Sequence, residues 1–486
     1  MSTATRTPSS YREDRLSTVI DKIPLAARIS IKEKIGYSLG DASSNLYWKT
    51  FEFYLMIFYT DVFGISAAAV GTMLLVTRLA DAVADPVMGS IADRTNTRWG
   101  HFRPYVLWFA LPLAVAGVLT FTTPNLGGGA KLVYAYITYC LLMFLYTAVN
   151  IPYTALMGVM TPNSLERTSI SSIRFIGAFT AGIFVQYFTL RFVKWFGHGN
   201  DARGWQLTMV LYGILAVFML ALCFASTRER VTPPTQQKSD LKRDLRDLFT
   251  SRPWLVLVGV LLLILAAFVI KGSASAYYFK YFVKREDLLG LFLVSNGLAF
   301  LAAVSMASYL AKLVGKKPLF MMAIGIGGLV IAGFWLPGPS DIRLMFALQI
   351  VSSFVIGFNS PLVFAMFADA ADDAEWRTGR RTTGLVFASA VFSTKAGVAI
   401  GAWVFGIVFN YFGYVANVAQ TPRSLHGIIL SMSWIPCTLM LFATALMQLY
   451  PLDEALMVKI EEDLRVRRAE IESPTYGPTP AAEESR

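Results

Sequence analysis

Twelve apolar runs, most of them about 20 residues or longer, divide this chain of 486 residues, and lipid is the solvent that such runs require. Their limits are 37–60, 66–92, 105–123, 132–160, 168–192, 204–226, 254–282, 288–311, 318–336, 342–368, 382–412 and 425–450. Helices and closed barrels alone satisfy the backbone in hydrocarbon, and these runs are too long for barrel strands. The sequence therefore predicts an all-α integral membrane protein of 12 transmembrane helices. Composition agrees: 55% of residues are hydrophobic and 15% charged, against roughly 25% charged in soluble domains. That balance excludes a disordered chain, a small secreted scaffold and a soluble multidomain enzyme.

Charge sets the expected topology. With both termini on one side, residues 1–33 and 451–486 and the loops of that side hold 28 Lys and Arg, and the other side nine when Arg191, Lys280 and Arg343 at the span ends are counted with its loops, so both ends are expected in the cytoplasm. The net charge of +11 is then loop charge and not a nucleic-acid surface. Residues 1–33 read as a cytoplasmic tail with no cleavable signal peptide. The polar stretch 227–253 separates a six-helix bundle at 34–226 from a second at 254–450, and 451–486 reads as a tail too short and polar for a domain. Two weak repeats relate the halves. Leu165-Glu166-Arg167-Thr168 is echoed by Glu375-Trp376-Arg377-Thr378, and the basic run Arg94–Arg103 by Lys312–Lys317. Two pseudo-symmetric parallel six-helix bundles are the signature of the major facilitator fold, with its site near midplane. Cys140, Cys223 and Cys437 fall in apolar segments, and His101, His198 and His426 near segment ends. They give no disulfide framework, metal cluster or nucleophile–base pair, so no enzyme is expected.

Ionisable groups inside hydrocarbon are costly and mark function. Arg78, Asp81 and Asp85 share one helical face by spacings of three and four. Two carboxylates a turn apart suit a small hard cation, or share a proton. Asp41, Asn45, Lys49 and Glu52 form a second stripe, and Tyr146, Thr147, Asn150, Tyr153 and Thr154 a third, with Pro152 loosening the backbone. Arg174, Lys271 and Lys395 add charge to later spans. Such a polar, aromatic-lined set recognises sugars; each member taken singly also reads as glue between helices. In the loops, Asp93, Arg94 and Arg98 follow span two, and Asp369, Asp372, Asp373, Glu375, Arg377, Arg380 and Arg381 follow span ten. A cytoplasmic gate of Arg98, Asp369, Asp372, Glu375 and Arg381 is one reading, and ordinary solvated charge the other.

The chain resembles the glycoside-pentoside-hexuronide:cation symporters, the family of the melibiose permease. The resemblance runs from Lys34 to about Pro451. It is carried by Lys34-Ile35-Gly36-Tyr37, Tyr59-Thr60-Asp61-Val62 and Val70-Gly71-Thr72 through Asp81-Ala82-Val83-Ala84-Asp85-Pro86-Val87-Met88-Gly89. Arg98-Trp99-Gly100-His101-Phe102-Arg103-Pro104, Asn150-Ile151-Pro152-Tyr153 and Ala368-Asp369 with Asp372, Glu375 and Thr378-Gly379 complete it.

The resemblance implies a coupling cation, Na+ before H+, on Asp81 and Asp85 with Thr147 and Asn45, and no other cofactor. It implies sugar positions at Asn45, Asn150 and Arg174 and places Lys395 at the family's lysine near the cation site; with Lys49 and Tyr153 from the polar stripes, these six are the candidate sugar contacts. It also implies a bacterial inner-membrane importer working by alternating access as a single chain, with a sugar, a cation and the lipid bilayer as its partners. Asn45 and Asn150 stand where the melibiose permease has aspartates, Thr154 where it has a tryptophan, and Lys49 is added. Fewer acids and more bases favour an acidic sugar, a uronide or oligouronide. A Lys49–Glu52 pair would remove that argument and leave a neutral glycoside or pentoside. A proton-coupled exporter or lipid carrier of the same fold is the further alternative.

Overall fold

The computed structural model describes residues 29–161, 164–230, 249–378 and 383–472. They are helical, with no strand among them and one isolated bridge, Thr97 to Gly100. In chain order the helices are α1 (Ile31–Ile57), α2 (Ala67–Arg94), α3 (Arg103–Trp108), α4 (Ala110–Thr120), α5 (Gly128–Met160), α6 (Ser164–Gly197), α7 (Asp201–Ser226) and α8 (Arg252–Tyr277). Then follow α9 (Leu289–Val314), α10 (Lys316–Ala332), α11 (Ile342–Gly357), α12 (Asn359–Thr378), α13 (Thr383–Tyr411), α14 (Pro422–Met432), α15 (Trp434–Gln448) and α16 (Glu454–Glu472). Short polar side chains begin several of them. Ser30, Ser66, Asn200 and Thr421 accept from the backbone N–H three residues on, at 3.1–3.3 Å, which satisfies donors a helix leaves unpaired.

Nine helical stretches among the described residues are long and apolar enough to cross a membrane, and they begin at Gly128. The three expected spans before them fall short for physical reasons. Helix α1 carries Glu33, Lys34, Asp41, Lys49 and Glu52, and α2 carries Arg78, Asp81 and Asp85. The third run breaks at Phe109 into α3 and α4. The polar stripes that mark the candidate site thus lower the hydropathy of the helices bearing them. Large apolar side chains such as Ile176 and Phe218 stand more than 60% exposed on the outer faces, as lipid-facing residues do.

The chain divides into two compact units. The first is Met1–Gln236 with Arg285–Val294 and Val415–Ala419; the second is Gln237–Lys284, Ser295–Tyr414 and Gln420–Arg486. In the first, α1 packs on α6 and α7, and α2 on α5. In the second, α8 packs on α13 and α15. Gly401 permits the α8–α13 approach, since a Cβ there would lie 2.7 Å from the Ala266 carbonyl. Helices α1 and α8 end alike. Each runs into a six-residue π-helical turn, Phe58–Phe63 and Tyr278–Val283, and closes on a left-handed residue, Gly64 at φ 84° and Lys284 at φ 58°.

Within 451–486, read from the sequence as a tail too short for a domain, residues 454–472 form one helix, α16. Met457, Ile460 and Leu464 recur at spacings of three and four, which gives α16 one apolar face, and all three are buried. The helix lies against α12, where the Trp376 indole N–H donates to Asp463 Oδ2 at 2.9 Å.

In the first unit, residues after α7 fold back onto the bundle. The Glu229 carboxylate accepts from three successive backbone N–H groups, of His101, Phe102 and Arg103, at 2.8, 2.8 and 2.9 Å. These are free donors at the start of α3, where a negative charge is favoured. Gly100, at φ 110°, leaves the room, because a Cβ there would collide with that carboxylate. Arg230 grips Glu33 with both guanidinium nitrogens, at 2.7 and 2.8 Å, and this bond raises the Arg230 pKa above its ordinary value. Glu229→Ala strips the α3 start of its cap and should cost about 1–2 kcal/mol. Thermal unfolding in detergent is the check, and Glu229→Gln should recover part of the loss.

Candidate functional site

Three side chains from two helices of the first unit converge. Asp81 and Asp85 stand one turn apart on α2, and Thr147 reaches them from α5. Thr147 Oγ1 lies 2.6 Å from Asp81 Oδ1 and 3.3 Å from Asp85 Oδ1. One hydroxyl has one proton, so it bridges two acceptors and brings three oxygen-bearing groups together. Asp81 is 4% exposed; Asp85 is half-buried. Pro86 and Pro152, inside α2 and α5, interrupt the backbone ladder within about a turn and a half of these groups. Arg78, itself buried, is the local counter-charge, with Nη1 3.7 Å from Asp81 Oδ2. No group of three or more His, Cys, Asp and Glu that could hold a metal occurs among the described residues. Two carboxylates and a hydroxyl suit a cation taken up and released as cargo better than one held permanently.

The α1 stripe has different geometry from its expected use. Lys49 Nζ pairs with Glu52 Oε2 at 2.7 Å. Asn45 spends its amide nitrogen on the Asp41 carbonyl, 2.9 Å away on its own helix. Arg174 from α6 pairs with the Asp41 carboxylate at 3.0 Å. Asp41 therefore joins the candidate set, although the sequence reading lists it only as part of a stripe. Its signal was present: it stands four residues before Asn45, on the same face.

Tyr153 locks α5 to α1. Its hydroxyl donates to the Tyr37 carbonyl at 2.8 Å, the Tyr37 hydroxyl donates to the Tyr153 carbonyl at 3.1 Å, and the rings stack at 4.6 Å. With both hydroxyls committed and Tyr153 only 1% exposed, its geometry is that of helix packing and not of a cavity wall. Thr154 donates to the Asn150 carbonyl, and Asn150 is half-buried. A residue the sequence reading passed over, Trp48, carries the Arg78 guanidinium on its ring at 4.5 Å and stacks on Tyr146 at 6.1 Å.

Lys395 lies on α13 of the second unit, half-buried. In the same unit Lys271 Nζ donates to Gln349 Oε1 at 2.5 Å and sits over the Phe334 ring. Of the proposed gate, Arg98 is exposed with its guanidinium over Trp99. Asp369 pairs with Lys316 of its own unit. Asp372 and Glu375 are half-buried on α12, and Arg381 lies outside the described residues.

Residues 36–454 match the family described as MFS/sugar transport protein. The chain belongs to that family. This sugar transporter is 38% identical to an isoprimeverose transporter of Lactiplantibacillus pentosus, over 83% of this chain and 85% of that one. It is 36% identical to a putative glycoside/cation symporter of Escherichia coli K12, over 91% of this chain and 96% of that one. Among solved structures it superposes on a D-xylose-proton symporter with a TM-score of 0.60, covering 87% of this chain and 97% of that one at 16% identity, a likeness of fold. The transporter is thus a membrane protein of the major facilitator class and not an enzyme, and its resemblance to the glycoside-pentoside-hexuronide:cation symporters holds over nearly all of its length.

Removing one partner of a largely buried ion pair strands the other. Asp41→Asn should therefore cost the transporter about 3 kcal/mol. The double variant Asp41→Asn with Arg174→Gln should regain part of it, and a double-mutant cycle on thermal unfolding measures the coupling.

Proposed function

We propose that this transporter is a cation-coupled sugar symporter, with Asp81, Asp85 and Thr147 receiving the coupling cation. The observation that carries the reading is Thr147 bridging both carboxylates across α2 and α5. Two acids inside a membrane helix mark a functional site, and the Arg78 guanidinium lies 3.7 Å from one of them, Asp81. Na+ is the favoured ion, since three oxygens at one point suit a hard cation. A shared proton is the competing form of the same chemistry. The sugar site takes Asn45, Asn150 and the Asp41–Arg174 pair. A carboxylate accepts from sugar hydroxyls and a guanidinium donates to them.

The substrate is proposed to be a neutral glycoside or pentoside. An acidic sugar would call for an unmatched base, and two of the bases counted toward one, on α1 and α6, are matched. Lys49 is paired with Glu52 and Arg174 with Asp41. The isoprimeverose relative is consistent with this reading. The bias of Lys and Arg supports cytoplasmic termini; the membrane is taken to be a bacterial inner membrane, with import driven by the inward cation gradient. Transport would proceed by alternating access in a single chain.

Uptake into proteoliposomes tests the whole reading. Labelled isoprimeverose and labelled methyl glucuronide are each presented with a sodium gradient, a proton gradient or neither. The expected result is sodium-driven accumulation of the neutral sugar, abolished in Asp85→Asn while the protein stays monodisperse. Uptake of the glucuronide alone would restore the acidic-sugar reading. Accumulation that persists in Asp85→Asn would remove the cation site from α2.

A further inference from the structure

If sugar and cation bind cooperatively, occupancy of Asp81 and Asp85 has to reach the polar stripe of α1. Trp48 of α1 touches the counter-ion of those carboxylates. The Arg78 guanidinium carbon lies 4.5 Å from the Trp48 ring centroid, while Nη1 stands 3.7 Å from Asp81 Oδ2. That separation exceeds a hydrogen bond, and Nη1, though buried, has no hydrogen-bond partner among the described residues. Besides the Tyr139 hydroxyl next to it, the guanidinium is drawn both to the Asp81 charge and to the negative face of the indole. On the far side, Trp48 stacks on Tyr146 at 6.1 Å with 29° between the planes. Tyr146 precedes Thr147, which bonds both carboxylates. Asp81, Arg78, Trp48, Tyr146 and Thr147 therefore close a circuit that joins α2, α1 and α5. Trp48 stands three residues from Asn45, on the stripe assigned to the sugar.

We propose that Trp48 is a positioning residue that links the cation site to the sugar-facing stripe of α1. A cation on Asp81 and Asp85 weakens the hold of Asp81 on Arg78 and leaves the guanidinium to the indole. That fixes the Trp48 ring, and with it the α1 turns bearing Asn45 and Lys49. The inference rests on the symport reading and goes beyond it, since Trp48 belongs to neither the cation set nor the sugar set proposed above.

Binding of isoprimeverose and of methyl glucuronide to the purified transporter tests it, in sodium chloride and in choline chloride, and across a pH step in each. The wild type should bind its sugar at least fivefold more tightly with the coupling cation present. In Trp48→Leu that ratio should fall to within about twofold of one, with cation-free sugar affinity held within about threefold. Trp48→Phe keeps an aromatic face for the guanidinium and should give an intermediate ratio. A merely structural role would lower both affinities and keep the ratio. A retained ratio in Trp48→Leu overturns the proposal while leaving symport intact. If Trp48→Leu does not purify as a monodisperse species, Trp48→Phe decides, and a full wild-type ratio there overturns the proposal. No cation effect in the wild type, or no binding of either sugar, overturns the symport reading and this inference with it.

Discussion

Two carboxylates one turn apart on a membrane helix are the constraint around which the first unit is arranged. Asp81 is almost fully enclosed, and an ionised acid in that setting is sustained only by donors and countercharge. Thr147 provides the donor and Arg78 the countercharge. Both bring their helices along. Helix α5 has to pass close to α2, and Arg78 has to stay where a buried guanidinium finds a second attraction, which is the Trp48 face. The placement of α1, α2 and α5 around one point is thus a consequence of neutralising that pair.

The same requirement accounts for four matched pairs elsewhere in the unit. Lys49 has Glu52, Arg174 has Asp41, Lys34 has Glu166 and Arg230 has Glu33. Three of these four bind segments more than 100 residues apart in the chain. Such pairs add little net stability, because desolvation offsets the Coulomb gain. They do specify which helix faces which, and apolar surfaces in lipid cannot do that, since lipid tails are as apolar as leucine. The consequence for substrate choice is direct. A base already matched by an acid is a poor magnet for a charged sugar, but its ion pair remains a good partner for hydroxyls.

Much of this was legible in the sequence, for a definable reason. Periodicity is local, so stripes at spacings of three and four disclose Asp81 with Asp85 and Asp41 with Asn45, Lys49 and Glu52 before any fold is known. The i,i+3 pairing of Lys49 with Glu52 could be named in advance because both partners lie on one helix. Pairings between distant segments leave no periodic trace. Nothing local announces that Glu229 caps the start of α3, that Tyr153 exchanges hydrogen bonds with Tyr37, or that Trp48 carries Arg78. Helix α16 was missed for a third reason: its apolar face is narrow, and a mean over its charged residues hides it. Gly100 is the exception among long-range features, since its φ of 110° is a backbone demand that glycine meets.

Charge bookkeeping across the site then bears on how two cargoes become linked. A monovalent cation received by Asp81 and Asp85 would compete with the Arg78 guanidinium and the Thr147 hydroxyl for the same carboxylate oxygens. Its arrival changes what Arg78 and Thr147 are asked to do; Arg78 touches Trp48, three residues from Asn45, and Thr147 stands three residues before Asn150. Coupling then needs no large rearrangement at the cation itself. It needs only that the arrangement of α1 and α5 that best satisfies Arg78 and Thr147 with the cation present is also the one that best presents Asn45, Asn150 and the Asp41–Arg174 pair. By linkage, a sugar that favours that arrangement strengthens cation binding by the same factor.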